Sequence, residues 1–236
     1  FALSVSLLSL RPLHLHAAEM KTIADRLAEY SDVVHERLAP KFEAAGVSYP
    51  PKWLVLIGLK QEKTLQVYAA DRAERYRFIC AYPMQAASGE IGPKLRQGDK
   101  QVPEGLYRIA SLNPNSRFHL ALKVDYPNSF DRARAEEDGR TSLGGAIMIH
   151  GNAVSIGCLA MGDPVAEDLF ILAARTGLDH IRVILSPLDA RSEPMPTPPQ
   201  NAPAWVAKLY GRIATELRSF PLPPNGIPSD ESEEDR

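Results

Sequence analysis

The sequence is poor in the features that mark cofactor-binding, metal-binding and nucleic-acid-binding proteins. It has only two cysteines among 236 residues, Cys80 and Cys158, and neither lies in a CxxC pair or at a spacing typical of zinc ligands. No Gly-rich loop lies between a predicted strand and a predicted helix to hold a phosphate. The formal net charge of −2 gives no electrostatic basis for binding nucleic acid. We therefore predict no metal, no cofactor and no nucleic-acid partner.

Internal repeats are also absent from the sequence. Its 44% hydrophobic and 24% charged residues are typical of an ordinary globular protein. A chain of this length can bury one sizeable core with some additional helices. A disulfide between the two cysteines would block the thiol of Cys158, so both thiols are expected to be free in the active protein.

The apolar N-terminus, Phe1 to Leu10, is too short to span a bilayer. It is similar to the apolar region of a secretory signal that lacks its basic start, although no clean small-residue cleavage site follows. We predict a truncated signal or anchor segment over residues 1–18. The protein would then be exported to the periplasm or cell envelope and would contact a membrane only through this segment. The alternative is a buried terminal segment of the fold.

The hydrophobic pattern predicts a mainly β core with peripheral helices, α+β overall. An amphipathic helix is predicted over residues 18–45, and residues 19–49 are assigned to an N-terminal helical segment. Strand patterns follow at residues 53–57, 64–70, 75–81, 106–109, 118–124 and 181–185. Two segments are predicted to be surface loops: the Gly- and Pro-rich residues 83–105, and the mixed-charge residues 131–142.

The composition changes at Pro187, and half of the 20 prolines lie at or beyond it. We predict one domain over residues 50–187, then a Pro-rich linker and a C-terminal helix over residues 188–220. Residues 221–236 end in the acidic run SDESEEDR and are predicted to be disordered.

The stretch from Gly144 to Asp163 carries the residues best suited to chemistry. A short apolar run ends at His150, Gly151 follows it, and Cys158 lies eight positions after the histidine. The run predicts a buried strand, and the glycines allow a bend that brings the two limbs together. A thiol needs a base to become a good nucleophile, and histidine is its usual partner. We therefore predict that Cys158 and His150 form a nucleophile and base.

The alternative for this pair is a buried structural cysteine and a hydrogen-bonded histidine, because both are ordinary in protein cores. The other cysteine, Cys80, lies inside a predicted strand and is interpreted as a small core residue. His119 is a weaker candidate base, because its place in an alternating strand predicts a partly exposed sheet residue.

The run IMIHGNAVSIGCLAM, residues 147–161, resembles the signature of the L,D-transpeptidase catalytic domain (the YkuD, or ErfK, family), and most of all its YafK-like branch. Further blocks match in the same order, namely Gly92-Pro93-Lys94, Pro103-Glu104-Gly105-Leu106-Tyr107, Tyr126-Pro127-Asn128 and Gly139-Arg140-Thr141. The resemblance covers about residues 52–187. It implies a β-sandwich-like catalytic domain that acts on peptidoglycan stem peptides outside the cytoplasmic membrane.

The resemblance also implies a role for each matched residue. Cys158 would be the nucleophile and His150 its base, and Gly151 would orient the imidazole through its backbone carbonyl. The backbone N–H groups of Gly157 and Cys158 would stabilise the oxyanion. Four residues are expected to contact substrate: Tyr126, Asn128, Arg140 and Ser155. A turn or solvent-facing position is an equally open interpretation of the first three.

Two positions depart from the family pattern. Ile156 replaces a second histidine, and Ala160 replaces an arginine or asparagine, and both changes are expected to alter the pocket floor. The expected reaction is attack on the meso-diaminopimelate–D-Ala bond through a thioester on Cys158, followed by transfer to an amine. Hydrolysis by the same residues is one alternative, including release of a wall-anchored lipoprotein. A non-catalytic peptidoglycan-binding module is the other.

Overall fold

A computed structural model describes residues 20–224 of the chain. The predicted signal or anchor segment and most of the predicted acidic tail lie outside these residues. No helix within residues 20–224 combines the length and the apolar character needed to cross a bilayer.

The first helix, α1, spans Ile23–Ala45 and begins five residues later than the pattern predicted. Its start is set by a capping box, in which the Thr22 hydroxyl accepts from the Asp25 N–H and the Asp25 carboxylate accepts from the Thr22 N–H. Gly46 ends the helix in the left-handed region at φ 66°. Val34 and Leu38 lie on the buried face. The predicted amphipathic helix is therefore present, with its N-terminus moved by a cap.

Within residues 20–224, nine strands form one continuous sheet in the order β3-β2-β1-β9-β5-β6-β7-β8-β4. The strands are β1 Trp53–Leu59, β2 Thr64–Ala70, β3 Arg77–Pro83, β4 Ala86–Ala87, β5 Gly105–Ser116, β6 His119–Val124, β7 Met148–His150, β8 Leu159–Ala160 and β9 Ile181–Ser186. Neighbours are antiparallel except for the β1–β9 and β7–β8 pairs, which are parallel. The prediction of a mainly β fold with peripheral helices is confirmed.

The sheet curls because β5 is shared between its two halves. Residues 105–108 of β5 pair with β9, whereas residues 109–116 pair with β6. A Cβ atom placed on Gly58 of β1 would lie 3.3 Å from the Leu159 side chain of β8, so the two halves face each other. The pattern predicted only residues 106–109 as strand, because the rest of β5 contains Pro and Asn, which are rare in strands. Pairing with β6 extends the strand beyond that limit.

Strand β1 is apolar throughout because both of its faces are covered. Leu54 and Leu56 belong to the core between the two halves of the sheet. Val55 and Ile57 pack on the other side, against the helix α4, Trp205–Leu217. The helix α3, Asp163–Thr176, closes the first core together with α1, and a short 3₁₀ turn at Leu178–His180 leads into β9.

The prediction of a surface loop over residues 131–142 is wrong for the first half of this segment, which is helical. The helix α2 spans Ser129–Glu137 and is capped by Asn128, whose side-chain oxygen accepts from the Phe130 and Asp131 N–H groups. The charged residues of this run surround a helix that buries only Ala135. A solvated helix and a solvated loop have the same composition, so only the capping box distinguishes them.

The predicted surface loop at residues 83–105 is also wrong in part, because its second half enters the interior. Glu104 is 1% exposed and forms an ion pair at 3.0 Å with Lys60, which follows β1. The same Glu104 carboxylate accepts hydrogen bonds from the Gly92 N–H and from the Tyr210 hydroxyl of α4. This buried cluster joins the loop, the sheet and α4 at one point.

Candidate active site

Strand β7 ends at His150, and the imidazole is held in one orientation. Its Nδ1 atom lies 2.6 Å from the backbone carbonyl oxygen of Gly151. A carbonyl can only accept, so Nδ1 carries the proton and Nε2 keeps the lone pair of the neutral ring. The Phe118 ring stacks on the imidazole at 4.7 Å between centroids. The sequence prediction that Gly151 contacts the imidazole through its carbonyl agrees with this geometry.

Cys158 lies directly before β8, next to His150 in the sheet. The parallel pairing of β7 with β8 sets Ile149 opposite Leu159 and His150 opposite Ala160. Extending this register by one residue places Cys158 opposite Met148. Met148 and His150 are two residues apart on β7, so their side chains lie on the same face of the sheet, and the Cys158 side chain lies on that face as well. The bend between the two strands thus returns the thiol to the neighbourhood of the imidazole. The Cys158 Sγ atom lies 3.6 Å from the Ala146 carbonyl oxygen.

Two serine hydroxyls hold the backbone around the thiol. The Ser155 hydroxyl accepts from the Cys158 N–H at 3.0 Å and donates to the Cys158 carbonyl at 2.6 Å. The Gly157 N–H donates to the hydroxyl of Ser88, which follows β4. Gly157 adopts φ +95°, a conformation that favours glycine. The N–H groups of Gly157 and Cys158, which are the predicted oxyanion donors, therefore each donate to a serine hydroxyl. Ser88 was not predicted as a site residue, because it lies far from the signature in the sequence.

Burial favours the neutral forms of both His150 and Cys158. It lowers the pKa of His150 below the ordinary 6.5, against an opposing contribution from the hydrogen bond to Gly151. Burial also raises the pKa of the Cys158 thiol above its ordinary 9.0, although the Met148 backbone and the charge of Lys94 act in the opposite direction. The resting pair is therefore a thiol and a neutral imidazole rather than an ion pair.

The thiol opens into a pocket of about 670 Å³, called here the Cys158 pocket. Its walls come from residues 94, 97, 98 and 100, from 141–147 and from 156–158, with Pro127 and Arg132. No group of three His, Cys, Asp or Glu side chains within residues 20–224 is arranged to hold a metal ion. The pocket is large enough for part of a peptide.

A sequence profile of the YkuD family, the L,D-transpeptidase catalytic domain, matches residues 52–183, which is more than half of the chain. The protein belongs to this family. The matched region contains the strands β1 to β9 in part or in full, together with His150 and Cys158. The predicted resemblance is confirmed, and so is the family fold of a curled sheet with peripheral helices.

A similar protein is the one named "Putative L,D-transpeptidase YafK" of Escherichia coli strain K12, which is 40% identical over 113 residues. That alignment covers 47% of this chain and 43% of the relative, so the chain spans less than half of the length of the curated relatives it matches. Two solved structures are similar over wider regions. The helical cell shape determining protein Pgp2 from Campylobacter jejuni has a TM-score of 0.46 at 23% identity and covers 58% of this chain and 48% of that one. Bd1075 of Bdellovibrio bacteriovorus has a TM-score of 0.43 at 19% identity and covers 72% and 56%.

None of the four predicted substrate-contacting residues lines the Cys158 pocket. Ser155 holds the Cys158 backbone, and the other three support the pocket walls from outside. The Tyr126 hydroxyl donates to the carbonyls of Lys94 and Leu143, at 3.3 and 3.2 Å. Asn128 caps α2 and donates to the Leu106 carbonyl. Arg140 donates to the Leu95 carbonyl at 2.7 Å and binds the carboxylate of Asp138. None of the three lines the Cys158 pocket, so the structure gives them supporting contacts, and direct contact with substrate stays a prediction.

The remaining candidates lie apart from the pocket. The His119 ring nitrogen lies 3.0 Å from a carboxylate oxygen of Glu167, and His119 is not a pocket residue. Cys80 is buried in β3, and burial raises the pKa of its thiol to about 11. Of the two departures from the family pattern, Ile156 lines the Cys158 pocket and is 74% exposed, whereas Ala160 is fully buried and does not line it.

Gly151→Ala is expected to destabilise the protein by about 1–3 kcal/mol, the usual cost of overpacking a filled interior. The added Cβ atom would lie 2.8 Å from the Phe118 carbonyl oxygen and 3.0 Å from the His119 Cβ, and it would also meet the Asp163 carboxylate. That carboxylate accepts from the Asn152 N–H at 2.7 Å and holds the bend after His150. Urea unfolding measures the change.

The control for this substitution is Gly211→Ala. Gly211 lies inside α4 with open space around it, so alanine should stabilise the helix by about 0.5–1 kcal/mol. Equal free energies of unfolding for Gly151→Ala and the unchanged protein would show that the bend has room for a side chain.

Proposed function

We propose that the protein is a cysteine acyltransferase that acts on peptidoglycan stem peptides at the bond between meso-diaminopimelate and D-Ala. The observation that carries the proposal is the arrangement of Gly151, His150 and Cys158. The carbonyl of Gly151 accepts from Nδ1 of His150, the register of β7 and β8 supports a thiol on the same face of the sheet as that ring, and Cys158 lines a peptide-sized pocket. Because this substrate lies in the cell envelope, the proposal includes export of the protein to that compartment.

The proposed reaction has two halves. The Cys158 thiol gives its proton to Nε2 of His150 as the sulfur attacks the amide carbon, and the C–N bond then breaks as the departing D-Ala amine takes that proton. The thioester is next attacked by an amine or by water, which gives its proton to His150. The S–C bond then breaks, and the thiolate recovers the proton. An amine acceptor yields a cross-link, and water yields a shortened stem peptide.

The oxyanion would be stabilised by the N–H groups of Gly157 and Cys158. Each of these groups now donates to a serine hydroxyl, of Ser88 and Ser155 respectively. The oxyanion would replace those hydroxyls as acceptor, so the donors are held in position before substrate binds. In this proposal Ser155 positions the nucleophile backbone as well as bordering the substrate.

The pH dependence of kcat/KM should report a neutral thiol and imidazole. The rate should fall as the pH drops through the lowered pKa of His150, with a midpoint below 6.5, because protonation removes the base. It should stay level from about pH 7 to about pH 9, because the thiol is protonated throughout that range. Thiolate ultraviolet absorbance should be absent near neutral pH. A thiolate signal at pH 7 together with an acid limb above that value would instead indicate a resting ion pair.

Hydrolysis is the second candidate function, and the charge of the pocket favours it. Lys94, Lys100 and Arg132 line the Cys158 pocket, and no Asp or Glu among the described residues does so. An amine acceptor approaches as an ammonium ion, which these cations repel, whereas water is unaffected. The hydrolytic form of the proposal includes release of a wall-anchored lipoprotein whose amide nitrogen is joined to diaminopimelate.

The test is mass spectrometry of purified tetrapeptide muropeptides after incubation with the protein, repeated on peptidoglycan that carries covalently bound lipoprotein. A cross-linked dimer supports acyl transfer to an amine, and a free tripeptide or released lipoprotein supports hydrolysis. A mass increase on Cys158, trapped by rapid acid quench, supports the thioester in either case. Absence of product and of adduct on every substrate would refute the enzymatic proposal and leave a non-catalytic binding module.

A further inference from the structure

Three cations line the Cys158 pocket, but they are not equivalent. Lys94 is nearly buried, and its ammonium group donates to the carboxylate of Asp99 at 2.5 Å and to the carbonyl of Arg96 at 2.9 Å. Lys100 and Arg132 are exposed, and neither side chain has an ion-pair or hydrogen-bond partner within residues 20–224. Two cations thus face the pocket of the nucleophile with their charge available to a ligand.

Lys100 is held at the pocket by a rigid turn rather than by its side chain. The Asp99 carboxylate accepts from the backbone N–H groups of Leu95, Arg96 and Gln101, at 2.9, 2.9 and 3.2 Å. Lys100 itself adopts φ 56°, a left-handed conformation that this turn imposes. The direction in which its side chain leaves the backbone is therefore set before any ligand binds.

Arg132 comes from a separate element, the first half of α2. Its helix is fixed against the rest of the domain by the Asn128 side chain, which caps it and donates to the Leu106 carbonyl. The positive charges therefore approach the pocket from two independently anchored segments. The nearby carboxylates do not pair with them, because Asp99 is bound to Lys94, and Asp131 neither lines the pocket nor forms a salt bridge with Lys100 or Arg132.

We propose that Lys100 and Arg132 bind a free carboxylate of the peptide that enters the Cys158 pocket. This inference rests on the proposed function for the identity of the peptide. Such a stem peptide carries three free carboxylates, on its γ-linked D-Glu, on the side chain of its diaminopimelate residue and at its C-terminal D-Ala. The last two belong to the residues that form the reacting bond, and the cations are proposed to bind one of these two. Both have the same chemistry, and guanidinium and ammonium groups both bind carboxylates through charge-assisted hydrogen bonds. The two cations would thereby select anionic stems over amidated ones.

Binding to the full chain carrying Cys158→Ala tests this inference without turnover. Isothermal titration calorimetry with synthetic L-Ala-γ-D-Glu-meso-diaminopimelate-D-Ala gives the dissociation constant. Lys100→Asn suits the left-handed backbone, and Arg132→Gln keeps the helix. Each substitution is expected to weaken binding about threefold to tenfold, the double substitution by more, and the effect should shrink at high salt. Lys208→Gln, on the exposed face of α4 and away from the pocket, is the matched control and should leave binding unchanged.

Two amidated peptides identify the carboxylate. If the side-chain carboxylate of diaminopimelate is bound, the peptide in which this carboxylate is amidated should bind weakly to the pocket that keeps Lys100 and Arg132. Neither substitution should then change its dissociation constant. If the C-terminal carboxylate is bound, the peptide that ends in D-alaninamide should instead be the one that binds weakly and whose dissociation constant does not change. Less than a twofold change in the double variant, or equal losses for the acidic and both amidated peptides, would overturn the inference. Failure of catalysis with normal carboxylate-dependent binding would count against the proposed reaction alone.

Discussion

Cys158→Ala is expected to lower the turnover of tetrapeptide muropeptides by at least about a thousandfold, because alanine removes the nucleophile on which the proposed reaction depends. Both halves of the proposed reaction pass through the sulfur of Cys158. Without the sulfur, the remaining His150 could at most act as a base toward water. Stability should change little, because the thiol forms only weak hydrogen bonds, such as that to the Ala146 carbonyl at 3.6 Å, and alanine keeps the Cβ atom.

The matched control is Cys80→Ala, which removes the other thiol of the protein. Cys80 lies in β3, among the buried apolar residues of the main core, and it does not line the Cys158 pocket. Its loss should reduce stability by about 1 kcal/mol and leave kcat unchanged. Product formation by Cys158→Ala at the normal rate, measured by mass spectrometry of the muropeptides, would eliminate the thioester mechanism.

Glu104→Ala is expected to destabilise the protein by about 3–5 kcal/mol, the usual result of leaving a buried charge without its partner. The Lys60 ammonium group lies 3.0 Å from Glu104 and also donates to the carbonyls of Gly92 and Val102. Burial already lowers the pKa of Lys60, and the Coulomb attraction of Glu104 opposes that change. Without the carboxylate, the lysine must lose its proton or draw water into the interior. The Tyr210 hydroxyl and the Gly92 N–H lose their acceptor as well.

The double variant Lys60→Met, Glu104→Leu separates this cause from simple loss of packing. It removes both charges and keeps apolar volume, so its stability in urea unfolding should be far closer to that of the unchanged protein than to Glu104→Ala. A double variant as unstable as Glu104→Ala would show that the hydrogen bonds to Gly92 and Tyr210, rather than the uncompensated lysine, account for the loss. A change below about 1 kcal/mol in Glu104→Ala itself would contradict the buried-pair argument.

Local sequence patterns were sufficient to predict most elements and to single out His150 and Cys158 as candidates. Apolar residues at helical spacing predicted α1, and the continuous apolar run at residues 53–57 predicted β1, which the structure buries on both faces. His150 and Cys158 were identifiable because glycines border both residues at the end of an apolar strand. Each of these signals lies within a few consecutive residues, where backbone geometry and side-chain type act together.

The tertiary structure decided what depends on residues distant in the chain. Ser88 lies 69 positions from Gly157, yet its hydroxyl accepts a hydrogen bond from the Gly157 N–H, the group that is expected to bind the oxyanion. Glu104, at the end of the predicted loop over residues 83–105, is buried because Lys60 and Tyr210 bind its carboxylate. Only folding brings these three residues together. Tyr126 and Arg140 hold backbone carbonyls of the pocket walls for the same reason. The sequence by itself determined which side chains are suited to chemistry and where most of the strands lie. The pairing of the strands determined the position and charge of the pocket, because burial and hydrogen bonding depend on neighbours in space.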